Sequence, residues 1–97
     1  MYKLSVLAAD DFAAIYDYTL LNFGEKQADR YTEEMDKCLN RLAEMPRMGR
    51  EQPELGVGLL RYEYARHAIF YRLRQYDTFI IRILHQQMDP WRHLPGL

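Results

Sequence analysis

Apolar residues recur at helical spacing through the first half of the chain and at alternating spacing through the second. Residues 2–7, Tyr-Lys-Leu-Ser-Val-Leu, alternate apolar and polar positions and predict a short opening strand. Asp10 and Asp11 follow as N-cap and first-turn carboxylates. Phe12, Ile15, Tyr16, Thr19, Leu20 and Phe23 stand three or four apart, which predicts an amphipathic helix over about 9–23. Gly24 ends it, because glycine takes the left-handed conformation past a helix C-terminus at little cost. A second helix is predicted from 25 to about 45, where Ala28, Tyr31, Met35, Cys38, Leu42 and Met45 form a narrow seam that Leu39 widens. A one-glycine connection between two such helices implies an antiparallel hairpin, and Pro46 closes the second helix.

Residues 46–58 carry two Pro and three Gly and read as a long loop, a class that is often functional or held down by its own contacts. Strands are predicted at 59–64, 67–74 and 79–85. In the first, Leu60, Tyr62 and Tyr64 share a face against Arg61 and Glu63. In the second, Ile69, Tyr71 and Leu73 oppose Ala68, Phe70, Arg72 and Arg74. The third is apolar on both faces and so central in its sheet. Gln75-Tyr76-Asp77-Thr78 joins the last two as a hairpin turn. In the tail, Pro90 can open a helical turn. The sum is one α+β domain over 1–97, a twisted antiparallel sheet packed against an N-terminal antiparallel helical hairpin in the order β-α-α-β-β-β. The first strand rejoins the sheet at an edge or beside the last strand.

Charge changes this picture more than composition does. The net charge is −1. Residues 1–55 hold seven Lys and Arg against eleven Asp and Glu, while 56–97 hold six Arg, no Lys and three acids. The Arg-only half either neutralises the acidic half within one fold or meets an acidic peptide or a nucleic-acid backbone. The lone Cys38 makes no internal disulfide and fits a reducing cytoplasm. Its place on the seam reads as a small buried apolar residue. His67, His85 and His93 lack metal-ligand spacing, so neither a metal nor another cofactor is expected. No apolar run is long enough for a signal peptide or a membrane span, so no membrane partner is expected either.

Catalytic apparatus is sparse. Ser5 is the only serine and falls in the first predicted strand, and Gly56-Val57-Gly58 lacks the rest of a phosphate loop. The carboxylates crowd onto the helices, where a pair such as Glu33 and Lys37 reads as a solvated contact. Arg82 and His85 remain, one to stabilise a phosphorane and the other as general acid. They stand three apart on one strand and point to opposite faces unless a bulge intervenes. The plainer reading pairs Arg82 with an acid or a Tyr hydroxyl and makes His85 a strand-end cap.

The ordered set of local motifs resembles the ParE branch of the RelE/ParE toxin superfamily. The matching residues are Leu4-Ser5 with Ala8, Ala9 and Asp11-Phe12; Phe23-Gly24 with Gln27-Ala28 and Tyr31; Leu42-Ala43-Glu44-Met45-Pro46 with Gly49-Arg50; Arg61; His67-Ala68-Ile69-Phe70-Tyr71-Arg72; and Arg82-Ile83-Leu84-His85 with Met88-Asp89 and His93-Leu94. The resemblance implies a toxin of a type II toxin–antitoxin pair, a ParD-like antitoxin whose C-terminal segment wraps it, and inhibition of DNA gyrase by binding. No catalytic residue and no sequence-specific nucleic-acid binding are expected. RelE-like relatives cut mRNA on the ribosome; on that alternative Arg82 and His85 are the nuclease candidates. Phe12, Ile15, Tyr16 and Thr19 are the expected antitoxin contacts, on the apolar stripe of the first helix. Met88, Trp91 and Leu94, three apart in the tail, are the expected target contacts, with Trp91 either an interface anchor or a lid on the core.

Overall fold

A computed structural model describes residues 1–94. Its elements are β1 (Tyr2–Leu4), α1 (Val6–Phe23), α2 (Glu25–Glu44), a 3₁₀ turn (Pro46–Met48), β2 (Arg50–Glu51), β3 (Leu60–Tyr64), β4 (His67–Leu73), β5 (Thr78–His85) and α3 (Pro90–His93). The strands form one sheet in the order β1-β5-β4-β3-β2. β2 to β5 are antiparallel, as the pattern predicts, while β1 joins the edge beside β5 in parallel and makes the whole sheet mixed. No tight hairpin links β1 to β5, so nothing imposes the antiparallel sense on that pair.

The first helix starts earlier than the acids suggest. Ser5 is the N-cap: its hydroxyl accepts the Ala8 N–H at 2.9 Å and donates to the Ile81 carbonyl at 2.7 Å. Strand β1 therefore stops at Leu4, and Asp10 and Asp11 lie inside α1. Gly24, at φ 91°, separates the helices as expected. The two-residue strand β2 was not legible in the loop segment. The rest of that loop is pinned by its own contacts, among them Gln52 N–H to Leu59 O at 2.9 Å and Leu59 N–H to Gly56 O at 3.1 Å.

Two cores flank the sheet. The helical side buries Ala8 from α1, Met35, Cys38, Leu39 and Leu42 from α2, and Leu60, Ile69, Tyr71, Ile80 and Ile83 from the strands. The other side buries Leu59, Ala68, Phe70, Ile81, Leu84 and Leu94, with Leu55 and Phe79 against them. The alternation of β3 and β4 is as the sequence predicts. β5 departs from it: Phe70 pairs with Arg82 and Tyr71 with Ile80, so Ile81 is an extra residue, a bulge. The bulge lets Ile80 and Ile83, three apart, reach the same core.

Candidate functional site

The main core uses the ends of the hairpin remote from Gly24. Under the hairpin tip the helices leave a groove of about 610 Å³. Ala14, Ile15, Tyr18, Thr19 and Phe23 of α1 form one wall, with Gln27 and Tyr31 of α2 beside them. Ala65 and Arg66 of the β3–β4 turn, His67, Ile83, His85 and Met88 form the other side, and Asp11 closes one end. Most of the lining is apolar, and the polar groups gather near the sheet.

Helix α1 explains why the groove is open. Of its eighteen residues only Ala8 and Thr19 are buried. Tyr18 is 65 % exposed, Leu21 85 % and Phe23 66 %. A helix apolar on several faces normally lies inside a protein. Here it leaves Val6, Leu7, Tyr18, Leu21 and Phe23 exposed on one element, a concentration of large apolar side chains that suits an interaction site.

The polar groups are held from several elements. His67 and His85 are direct cross-strand partners, with ring centroids 5.7 Å apart and planes at 83°. Tyr31 Oη lies 2.7 Å from His67 Nδ1. Burial pushes the Tyr31 hydroxyl up to about 12. His67 is lowered from its ordinary value, by burial first and by His85 second, against the opposing pull of Asp11. The Gln87 N–H donates to His85 Nδ1 at 3.2 Å, so His85 does cap its strand end. Asp11 takes two hydrogen bonds from Arg82, at 2.8 and 2.9 Å, and a third from the Ile83 N–H at 2.9 Å. That backbone donor lies past the end of β1, so Asp11 closes the part of β5 that β1 leaves bare. Arg82 also donates to the His93 carbonyl at 3.0 Å, tying α3 to the sheet.

Arg82 and His85 are thus not brought together as a catalytic pair. The bulge at Ile81 precedes both residues and does not change their relative direction. Arg82 carries the acid partner that its plainer reading foresaw.

The expected antitoxin contacts divide. Ile15 and Thr19 line the groove. Phe12 packs against the main core instead, and the Tyr16 hydroxyl donates to Asp29 on α2 at 3.0 Å. The expected target contacts divide too: Met88 lines the groove and Trp91 is 63 % exposed, but Leu94 is 7 % exposed within the second core. The three-residue spacing does not set them on one face, because Pro90–His93 is a single turn that folds Leu94 inward. Tyr18, Phe23, Tyr31, Arg66 and His67 were missed as site residues. Tyr18 lies off the apolar stripe and was legible as an exposed aromatic, Phe23 sits on that stripe and reads as buried, and the Tyr31–His67 contact spans 36 positions and has no local signal.

Three of the six arginines of the Arg-rich half are paired within the fold, and one of them, Arg82, with an acid of the first half. Arg61 pairs with Glu63 at 2.8 Å, Arg74 with Asp77 at 2.6 Å and Arg82 with Asp11, while Arg72 donates to the Val57 carbonyl. Among the described residues Arg66, Arg72 and Arg92 make no ion pair.

Residues 2–90 match the family model described as ParE toxin of type II toxin-antitoxin system, parDE. The chain belongs to the ParE toxin family. It is 35 % identical to Toxin ParE1 of Mycobacterium tuberculosis over 94 residues, 96 % of each chain. It is 36 % identical to Toxin ParE1 of Caulobacter vibrioides over 93 residues, again 96 % of each. A solved structure of a chromosomal ParDE TA system from P. aeruginosa has the same fold, with a TM-score of 0.73 at 22 % identity, over 87 % of this chain and 92 % of that one. Among the described residues no helix is long and apolar enough to cross a membrane.

Proposed function

We propose that this ParE-family toxin acts by binding DNA gyrase, without a catalytic group of its own, and is neutralised by a ParD-like antitoxin whose amphipathic segment fills the groove under the hairpin tip. The observation that carries the reading is α1, an eighteen-residue helix with two buried residues and an aromatic-lined groove beside it. An amphipathic helix laid in such a groove buries its apolar face and leaves its polar face wet. Ile15, Thr19, Tyr18 and Phe23 are the proposed antitoxin contacts, and the exposed Met88 and Trp91 the proposed gyrase contacts.

The absence of catalysis is supported by how the reactive groups are used. The Ser5 hydroxyl caps α1, and the Arg82 guanidinium is held by Asp11 and the His93 carbonyl. Purified chain added to gyrase supercoiling and ribosomal mRNA-cleavage assays tests the reading. Loss of supercoiling that weakens in Trp91→Ala, with no mRNA cleavage, is expected. Cleavage that disappears in His85→Ala, with gyrase unaffected by the intact chain, would establish the RelE-like mechanism instead. For the antitoxin, Tyr18→Asp and Phe23→Asp should each weaken binding roughly tenfold or more. These side chains are exposed in the free chain, so their loss spares the fold.

A further inference from the structure

The polar end of the groove has a chemistry that the apolar walls do not require. His85 Nδ1 accepts the Gln87 N–H, so the neutral ring carries its proton on Nε2. At His67 the phenol is the better donor and the imidazole nitrogen the better acceptor, so Tyr31 donates to Nδ1 and His67 also keeps its proton on Nε2. With its hydroxyl held up to about 12, Tyr31 stays a donor throughout the neutral range. Among the described residues neither Nε2 has a protein partner. Arg66 stands at the same end, on a turn whose Ala65 is at φ 52°, a left-handed conformation that an alanine holds only against strain. The one carboxylate of the groove, Asp11, already accepts three hydrogen bonds. His67, His85 and Arg66 therefore bring N–H donors and positive charge to a groove whose one lining carboxylate is already engaged.

We propose that His67, His85 and Arg66 bind a carboxylate, an Asp or Glu side chain of the helical segment that fills the groove. The inference rests on the groove being the antitoxin's seat and specifies what that antitoxin places there. The aliphatic part of the lining, Ala14, Ile15, Ile83 and Met88, favours the apolar face of a peptide helix over a polynucleotide, whose bases stack on aromatic side chains and whose phosphates gain nothing there.

A proton linkage follows. The groups facing His67 are His85 on β5, Asp11 on α1, Tyr31 and, beyond it, Glu34 on α2, Tyr64 on β3, and Arg66 in the turn. In the free chain burial and His85 favour the neutral ring. A carboxylate docked against the pair favours the charged ring, so binding takes up a proton and tightens as pH falls.

The test is titration calorimetry of the full chain with its ParD-type antitoxin at pH 6, 7 and 8, in two buffers of different ionisation enthalpy. Binding should tighten roughly threefold to tenfold from pH 8 to pH 6, with net proton uptake. His67→Gln/His85→Gln should abolish that gain. Arg66→Gln, an exposed change that spares the fold, should weaken binding about tenfold at every pH. Affinity flat in pH, or a gain that survives in the double variant, would overturn the carboxylate site, as would unchanged affinity in Arg66→Gln. If the double variant melts early, His85→Gln and Arg66→Gln decide alone. Phe23→Asp separates the two levels: if it weakens binding while the polar variants do not, only the carboxylate site fails, and if it too has no effect the groove is not the seat. Binding of a ten-residue uridine RNA that is lost in Arg66→Gln would assign the cluster to phosphate and overturn the proposal.

Discussion

His67 and His85 face each other across β4 and β5 with their rings nearly perpendicular, 5.7 Å between centroids. Two imidazoles that close do not readily share two positive charges, and His67 is half-buried as well. Burial and His85 both hold His67 below its ordinary value. Above about pH 6.5 the ring is neutral in both the folded and unfolded chain and contributes nothing to pH dependence. As pH falls through that value the unfolded chain takes a proton that the fold resists, so stability declines until pH passes the lowered folded value. Urea midpoints should fall from pH 7.5 to 5.5 in the parent chain and fall less in His67→Gln, whose amide oxygen can still accept from Tyr31. Equal slopes would show that His67 is not the group responsible.

The Asp11–Arg82 pair should be the most costly charge pair to break. Each side chain is 15 % exposed, and Asp11 also accepts a strand-edge N–H. Asp11→Ala strands both the guanidinium and the Ile83 N–H and should cost about 3 kcal/mol by denaturant melts. Arg82→Met should cost less, because Asp11 keeps its backbone donor and the methionine covers similar apolar surface. The reverse ranking would mean that the contact of Arg82 with the His93 carbonyl dominates.

Tyr71 locks the 3₁₀ turn to the sheet. Its hydroxyl donates to the Pro46 carbonyl at 2.7 Å and accepts the Gly49 N–H at 2.9 Å. Tyr71→Phe leaves both groups unpaired and should cost about 1–3 kcal/mol. Gly49→Ala should do at least as much damage, since its Cβ would meet the Tyr71 hydroxyl and stand 2.8 Å from the ring Cζ. Thermal melts of both variants check this; an unperturbed Gly49→Ala would mean that the turn shifts freely.

Ala65 offers a stabilising change. At φ 52° it sits where an L side chain is strained and glycine is not. Ala65→Gly should raise stability by up to about 1 kcal/mol, less whatever the extra freedom of glycine in the unfolded chain takes back. If the same variant loosened antitoxin binding, the strain would be serving the placement of Arg66.

Much of the architecture was legible because it is periodic. The seam from Ala28 to Leu42 and the alternation of β3 and β4 each report a buried face directly. What failed were features with no period. Asp10 and Asp11 look like an N-cap, yet Ser5 takes the role because its hydroxyl also reaches Ile81 across the sheet. Two polar residues, Arg50 and Glu51, give no strand signal and pair only because β3 offers its edge. The groove that the proposal uses was only partly legible. The stripe of an amphipathic first helix pointed to the antitoxin contacts, but Phe12 and Tyr16 of that stripe serve the core and the other helix. The histidine pair depends on the bulge: Leu73 pairs with Thr78, and only the extra Ile81 sets His67 opposite His85 rather than Leu84. One inserted residue in a strand leaves no mark in composition or spacing.

The position of β5 bears on when the molecule becomes dangerous. It lies between β1 and β4, yet it is the last made of the described strands. Until it emerges from the ribosome β1 has no neighbour, Asp11 has nothing to hold, and the groove lacks Ile83 and His85. Pairing Tyr2 with Thr78 also closes most of the chain into one loop, a step that non-local topology makes slow. A nascent chain stopped short of this strand is therefore unfinished on both sides of the sheet. On the proposed reading, the groove that seats the antitoxin is complete only once β5 and Met88 have been made, so it is among the last features of the chain to form.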